Sequence, residues 1–316
     1  MVWVLKRVGV AVLLVAIVVS IVCLAIRLVP GDPATLLLSQ GGVAPDPAAV
    51  AQLRHQLGLD QPLLVQYLAS LRGILHGDLG QSLQDGSSVA GQILQRLPRT
   101  LELIGVAAVL ALATGLPSGL AAGLRPGGLF DRAAGLAAAL GQAVPVFVVG
   151  TGLVLIFAQT LRWLPAGGYV SFAEDPVRNM ELVAMPAVTI AFGLFSVVFR
   201  MTRASVLDIA RRDFVRAARA KGLARRHLLL RHVLRNALVP VVTVVALNLG
   251  TLLGGTVLVE YVFNYPGLSG MLVQAVDARD YPEVQGIVLV ISVLFVSLNL
   301  AVELIYAALD PRVRRA

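Results

Sequence analysis

The reactive side chains of this 316-residue chain are few and poorly spaced for catalysis. Four histidines, His55, His76, His227 and His232, show no zinc-type spacing such as H-E-x-x-H. Cys23 is the only cysteine, so neither an intrachain disulfide nor a cysteine metal cluster is available. No G-x-x-x-x-G-K-[ST] loop is present to cradle nucleotide phosphates, and no G-x-S-x-G elbow lifts a serine for attack. A Ser-His-Asp triad assembled by the fold stays open, but no spacing points to one. What does cluster is positive charge: eleven Lys or Arg lie between Arg200 and Arg235, opposed only by Asp208 and Asp213. Within that block, Asp213, Arg216, Ala217, Ala218, Ala220, Lys221, Gly222, Arg225 and Arg226 mix small side chains with charge. Small residues let two surfaces approach closely, and cations meet acidic groups or anionic lipid. The chemistry expected here is docking.

The elements that position this block are apolar. A mean hydropathy of +0.82, with 57% hydrophobic and 14% charged residues, places the chain outside the soluble globular class. Six stretches free of Asp, Glu, Lys and Arg approach or exceed the ~20 residues that cross a bilayer as a helix. They are Val8–Ile26, Leu103–Leu124, Ala133–Leu161, Leu182–Phe199, Ala237–Val259 and Val284–Val302. The first is too long for the apolar core of a secretory signal and lacks a small-residue cleavage site, so it reads as an uncleaved helix. A pI near 10.3 invites a nucleic-acid reading. The charge collects beside apolar spans instead, where the positive-inside rule puts it. Lys6 and Arg7 then place the N-terminus in the cytoplasm. The Arg125–Arg132 turn, residues 200–236 and the Arg312–Arg315 tail follow on the same side.

The predicted fold is therefore all-α, with six transmembrane helices, both termini cytoplasmic and a small helical extracytoplasmic cap between the first two helices. Residues 1–29 form the first span, 30–99 the cap, 100–310 the membrane core with a cytoplasmic loop at 204–236, and 311–316 a tail. In the cap, Asp46-Pro47 reads as a helix start, Ala48–Leu57 as the helix and Gly58 as its stop. A second helix is expected over Pro62–Leu75, ended by His76-Gly77-Asp78. Gly115, Pro117, Gly141, Pro145, Pro186, Gly250, Gly254 and Gly255 punctuate the spans, as close helix packing or as bends beside a path. Glu102, Glu260 and Glu303 lie near span ends, where interfacial anchoring is expected. Asn248 and Asn299 sit deeper, where they line a path or hydrogen-bond between helices. The Asn264–Ser269 turn, with Pro266, Gly267 and the apolar Val262, Phe263 and Leu268, fits a re-entrant plug or gate near the outer mouth.

The run DFVRAARAKGLARRHLLLRHVLRNALVP, Asp213–Pro240, resembles the cytoplasmic signature loop of ABC-importer permeases: Glu-Ala-Ala, three residues, then Gly, with an apolar pair and Pro downstream. Ala217, Ala218 and Gly222 match in register. Arg216 stands for the glutamate, and Pro240 lies eighteen residues past Gly222; both departures resemble the dipeptide, oligopeptide and nickel branch. Leu28–Pro33, Leu57–Pro62, Gly77–Ser82, Arg96–Leu103, Val262–Leu268, Ala278–Pro282 and Leu309–Arg312 are similar to that branch in the right order along the chain.

The resemblance implies a permease subunit in the bacterial inner membrane, working with a homologous permease, two cytoplasmic ATPases and an extracytoplasmic substrate-binding protein. ATP and magnesium would be bound by the ATPases, and this chain would hold no cofactor and do no catalysis. It implies that the small helix around Ala217 and Ala218 fits a groove on the ATPase, with Asp213 as its N-cap and Gly222 as its stop. Peptides are the implied cargo; nickel chelates, glutathione and oligosaccharides belong to the same branch. An ion-driven secondary transporter would show ionisable relays at mid-membrane and paired repeats, and neither is visible. A scaffold that recruits a partner through its basic segment is the third class.

Overall fold

The computed structural model describes residues 2–28, 33–38, 46–56, 60–224 and 227–309. These residues are helical throughout apart from turns and one isolated bridge, Gln81 to Ser88. Apolar side chains over spans this long leave the backbone no partner but itself in hydrocarbon, and a helix satisfies every amide internally. Among the described residues, five helices are long and apolar enough to cross a membrane, the sixth candidate being a bent pair. Two of them far outrun their apolar stretches. Val89–Leu124 has 36 residues and Pro176–Ala210 has 35, roughly 50 Å each at 1.5 Å per residue. The apolar count finds only the part suited to hydrocarbon, and good helix formers carry the rest into polar surroundings.

The expected crossing Ala133–Leu161 is not one continuous helix. It consists of Leu129–Ala143 and Val146–Thr160, bent by 107° at Val144-Pro145. Val144 is extended at φ −86°, ψ 125°, the conformation a following proline imposes. The last turns of this pair, Val154–Thr160, are wound as a π-helix.

Contacts divide the chain into two compact units, Met1–Pro98 with Gly267–Ser297, and Arg99–Pro266 with Leu298–Ala316. In the first unit, the helix Pro47–Gln56 starts as expected, Ala48 N donating to Asp46 Oδ1 at 3.1 Å. Its expected end at Leu57 and Gly58 lies outside the described residues. The helix Leu63–Leu75 ends at His76, followed by Gly77 at φ +77°. It packs Tyr67, Leu71 and Ile74 around Val19 and Cys23 of the helix Val2–Leu28 and Leu289 of the helix Tyr281–Leu309. A further short helix, Pro33–Leu38, carries no signal that the sequence reading used. Asp280, fully buried, is the polar hub of this unit. Its Oδ2 accepts Ser82 Oγ at 2.5 Å and Leu83 N at 2.7 Å, while Oδ1 accepts Glu283 N at 3.2 Å.

The second unit is built on the contact between its two long helices. Gly115, Gly119 and Gly123 recur every fourth residue and face Val198, Thr202 and Val206, also every fourth. A Cβ at Gly119 would stand 2.7 Å from Thr202 Cβ and 2.8 Å from the Phe199 carbonyl oxygen. At Gly115 and Gly123 it would come within 2.8 Å of a valine Cγ1. These are rows of small residues that let helix backbones meet. The helix Leu129–Ala143 crosses the same partner at Gly141, where a Cβ would lie 2.6 Å from Phe192 O. Pro176–Ala210 begins on Asp175, whose Oδ1 accepts Val177 N and Arg178 N at 3.1 and 3.0 Å. Sixteen of its 35 residues are buried, Pro186 included.

The row predicts opposite outcomes for two valine substitutions. Gly119→Val forces atoms against a backbone carbonyl that cannot yield, so the cost reaches at least the ~1–3 kcal/mol typical of overpacking. Thr202 Oγ1 is buried without a hydrogen-bond partner, so Thr202→Val keeps the shape, removes the orphaned hydroxyl and leaves stability unchanged or raised. Thermal unfolding of the purified variants in detergent separates the two cases.

Candidate functional site

The basic segment folds as a short helix braced on the ends of the long ones. Pro176–Ala210 stops at Arg211, Arg212 N still donating to Ile209 O at 3.1 Å. The helix Asp213–Ala220 follows at once. Its first carbonyl is that of Arg212, which accepts Val215 N and Arg216 N at 3.0 and 3.3 Å. Asp213 is thus the first helical residue and not the N-cap, a correction of one position. Its carboxylate stands where the helix dipole favours negative charge, 3.7 Å from Arg216 Nη1. Both groups are well exposed, and such a pair contributes little.

The two faces of this helix differ. Val215 and Ala218, three apart, are buried with Val206, Ile209, Leu228, Val233 and Ala237, and Leu120 and Leu124 pack against them. Phe214, Arg216, Ala217, Ala220, Lys221 and Gly222 are exposed. Ala218 therefore supports the helix from behind, while Ala217 and Ala220 give the outer face its low relief. Gly222 sits at φ +76°, and Leu223 N donates back to Ala218 O at 3.4 Å, the six-to-one bond of a glycine-ended helix. A Cβ there would meet nothing within 4 Å, so the demand on Gly222 is conformational. Arg225 and Arg226 lie outside the described residues. Phe214, 44% exposed, was missed by the sequence reading. It is the only aromatic residue between Phe199 and Tyr261, and that isolation was the available signal.

Behind the helix, one cation of the basic block is committed internally. Arg203 grips the buried Asp131 with a two-pronged contact, Nε to Oδ1 at 2.5 Å and Nη2 to Oδ2 at 2.8 Å. Gly127 N adds a third bond to Oδ2 at 2.8 Å. The turn between the helices ending at Leu124 and starting at Leu129 is thereby fixed to the helix that leads into Asp213–Ala220. Two segments read as lying on one side of the membrane, 125–132 and 200–236, meet at one end of the unit.

The residues expected along a path are dispersed. Asn248 Nδ2 donates to Val244 O of its own helix at 2.8 Å, and Asn299 is half-buried in Tyr281–Leu309. The expected plug is split between the two units. Phe263 is buried and its carbonyl accepts Gly168 N at 3.0 Å, with Val262 half-buried nearby in the same core and Pro266 ending that unit. Gly267 and Leu268 are buried in the other unit, Leu268 among Val89, Ile93, Met271 and Ile287. Glu260 is corrected from interface to interior: it is 1% exposed and accepts Thr100 Oγ1 at 2.8 Å and Thr256 Oγ1 at 3.4 Å. Hydroxyl donors from two elements make the inside habitable for its carboxylate. The side chain of Glu303 lies outside the described ones.

A second polar cluster forms around Tyr169 and Tyr265, whose rings meet edge to face at 5.4 Å. The Arg99 guanidinium lies 4.9 Å over the Tyr169 ring, and Tyr169 Oη donates to Glu102 Oε2 at 3.0 Å. Tyr265 Oη donates to Arg99 O at 3.0 Å. Burial, helped by nearby Glu102, raises the Tyr265 hydroxyl above the usual phenol range, so it stays a donor.

Residues 115–315 match the family described as "Binding-protein-dependent transport system inner membrane component", and residues 1–104 match its N-terminal companion. The chain is 37% identical over 313 residues to a protein of Sinorhizobium fredii named a probable peptide ABC transporter permease, y4tP, covering 99% of each. It is 36% identical to the dipeptide transport system permease protein DppB of Escherichia coli, over 92% of this chain and 91% of that one. Among solved structures, an amino acid ABC transporter crystallised with histidines superposes with a TM-score of 0.50 at 16% identity. That match covers 70% of this chain and 94% of the other, a likeness of fold.

The Asp131–Arg203 contact predicts a marked asymmetry. Asp131→Ala strands a guanidinium, and because Arg203 keeps 35% of its side chain exposed, the loss falls below the ~3–5 kcal/mol of a fully buried pair. Asp131→Ala combined with Arg203→Leu recovers part of that loss, as unfolding midpoints of the single and double variants will show.

Proposed function

The chain belongs to the inner-membrane components of binding-protein-dependent transport systems, and from that premise we propose that it is a permease subunit of an ATP-driven peptide importer. It is not itself an enzyme; ATP is hydrolysed by separate subunits of such systems. The helix Asp213–Ala220 with its Gly222 turn is the element that docks a cytoplasmic ATPase. One observation carries this reading: the helix is apolar behind, where Val215 and Ala218 seat it, and small and cationic in front.

A surface of that kind fits a groove with acidic walls. Ala217 and Ala220 permit close approach, Phe214 offers an apolar knob, and Arg216 and Lys221 supply charge at the rim. Force applied there reaches Val206, Ile209, Leu120 and Leu124 directly, which are the ends of the two glycine-zipped helices. Closure of an ATPase pair would tilt these helices as a body and switch the side to which the path opens. The path is shared with a homologous permease, substrate arrives on an extracytoplasmic binding protein, and ATP with magnesium stays on the ATPases. The N-terminus and the 125–132 and 200–236 segments are cytoplasmic, and the 30–99 region caps the outside. Peptide cargo is supported by the names that full-length relatives carry.

Ala217→Glu and Gly222→Val test the docking role from the exposed side, leaving the buried Val215 and Ala218 untouched. With both proteins at normal levels in the membrane, ATPase co-purification and labelled-dipeptide uptake by vesicles should each fall at least tenfold. Intact assembly and uptake in both variants would remove the docking helix from the account.

A further inference from the structure

Arg99 and Glu102 are one turn apart on the helix Val89–Leu124, on a face that is half-buried, whereas Thr100 between them turns inward to Glu260. Opposite charges at the entrance to hydrocarbon ordinarily close on each other. Here both are engaged by Tyr169 instead. The guanidinium lies on the ring face and the carboxylate takes the phenol hydrogen. Among the described residues, Arg99 makes one long contact apart from the ring, Nη1 to Pro266 O at 3.4 Å, which leaves most of its five N–H donors unused there. Glu102 likewise keeps acceptor positions beyond the single tyrosine bond.

The arrangement is braced from behind. Tyr265 packs edge-on against Tyr169 and holds the Arg99 carbonyl, and Gly168, next to Tyr169, is tied to Phe263 O. A half-buried cation and anion with spare capacity, separated by a fixed aromatic platform, suit a ligand that carries both charges. A carboxylate fits the planar fork of Arg99, and an ammonium meets Glu102. Along the helix, Arg99 precedes Leu120 by about 30 Å at 1.5 Å per residue, so this cluster and the docking helix stand a bilayer core apart.

We infer that Arg99, Glu102 and Tyr169 form a station for a zwitterionic ligand of short-peptide size, at the end of the helix bundle remote from the docking helix. The inference rests on the peptide reading and names residues for it. The station is generic: it reads the two termini and leaves the side chains to the platform of Tyr169.

Equilibrium dialysis on the purified transporter complex in nanodiscs, without binding protein, provides the test, with Ala-Ala, Ala-Ala amide and N-acetyl-Ala-Ala as probes. The complex should hold Ala-Ala at least tenfold more tightly than either blocked form. Arg99→Gln should bind Ala-Ala and its amide equally, and Glu102→Gln should bind Ala-Ala and its N-acetyl form equally. Should a glutamine variant fail to assemble, Arg99→Lys and Tyr169→Phe carry the test, each weakening Ala-Ala binding several-fold. Equal binding of the three probes to the unaltered complex, terminus discrimination that persists in both glutamine variants, or unaltered affinity in both conservative variants would overturn the station. Vesicle uptake with the binding protein present is read separately: transport of a non-peptide cargo alone would sink the peptide reading, whatever the dialysis shows.

Discussion

Two helices of some 50 Å meet backbone to backbone only when nothing lies between them, and in this protein three missing side chains secure that. Gly115, Gly119 and Gly123 give up any Cβ so that Val198, Thr202 and Val206 rest on backbone. Inside a bilayer, lipid tails are as apolar as leucine, so burial alone does not hold helices together, and close van der Waals contact must. That contact carries its consequences outward. It brings Leu120 and Leu124 level with Val206 and Ile209, and the platform they make is what seats Val215 and Ala218. The helix Asp213–Ala220 is only eight residues long, too short to be stable alone, and owes its form to that platform.

The polar groups obey a second constraint, that a charge withdrawn from water must find hydrogen-bond partners. Asp131, Asp280 and Glu260 meet it in three ways: a guanidinium fork with a backbone amide, a hydroxyl with backbone amides, and hydroxyls from two elements. Arg99 and Glu102 meet it incompletely, and that incompleteness is what gives them room for a ligand. The same low-dielectric surroundings thus separate structural carboxylates from one with spare capacity.

Much of the fold was legible because a helix long enough to cross a membrane declares itself by the absence of charge. The start at Asp46-Pro47, the end near His76-Gly77 and the helical stop at Gly222 were legible because they rest on local backbone preferences. The break in the third apolar stretch was not. Pro145 splits it, yet Pro98, Pro117, Pro186 and Pro240 sit inside continuous helices. Neighbouring segments decide which proline breaks its helix, and one sequence does not name the neighbours. The spacing of Gly115, Gly119 and Gly123 was visible, but the facing row, eighty residues on, was not. The face of Ala218 was readable from Val215 three residues earlier, whereas the burial of Glu260 needed Thr100, 160 positions away.

The reach of Asp280 sets an order of events during synthesis. Ser82 and Asp280 are separated by 198 positions. At ~5–20 residues per second, Ser82 leaves the ribosome some ~10–40 s before its acceptor exists. The unit containing both joins Met1–Pro98 to Gly267–Ser297, while the other joins the continuous run Arg99–Pro266 to Leu298–Ala316. The nascent protein therefore has all of Arg99–Pro266 before the first unit can close. Its opening segment waits for Gly267–Ser297, and a chain cut short before Asp280 leaves Ser82 and Leu83 without the carboxylate that clasps them.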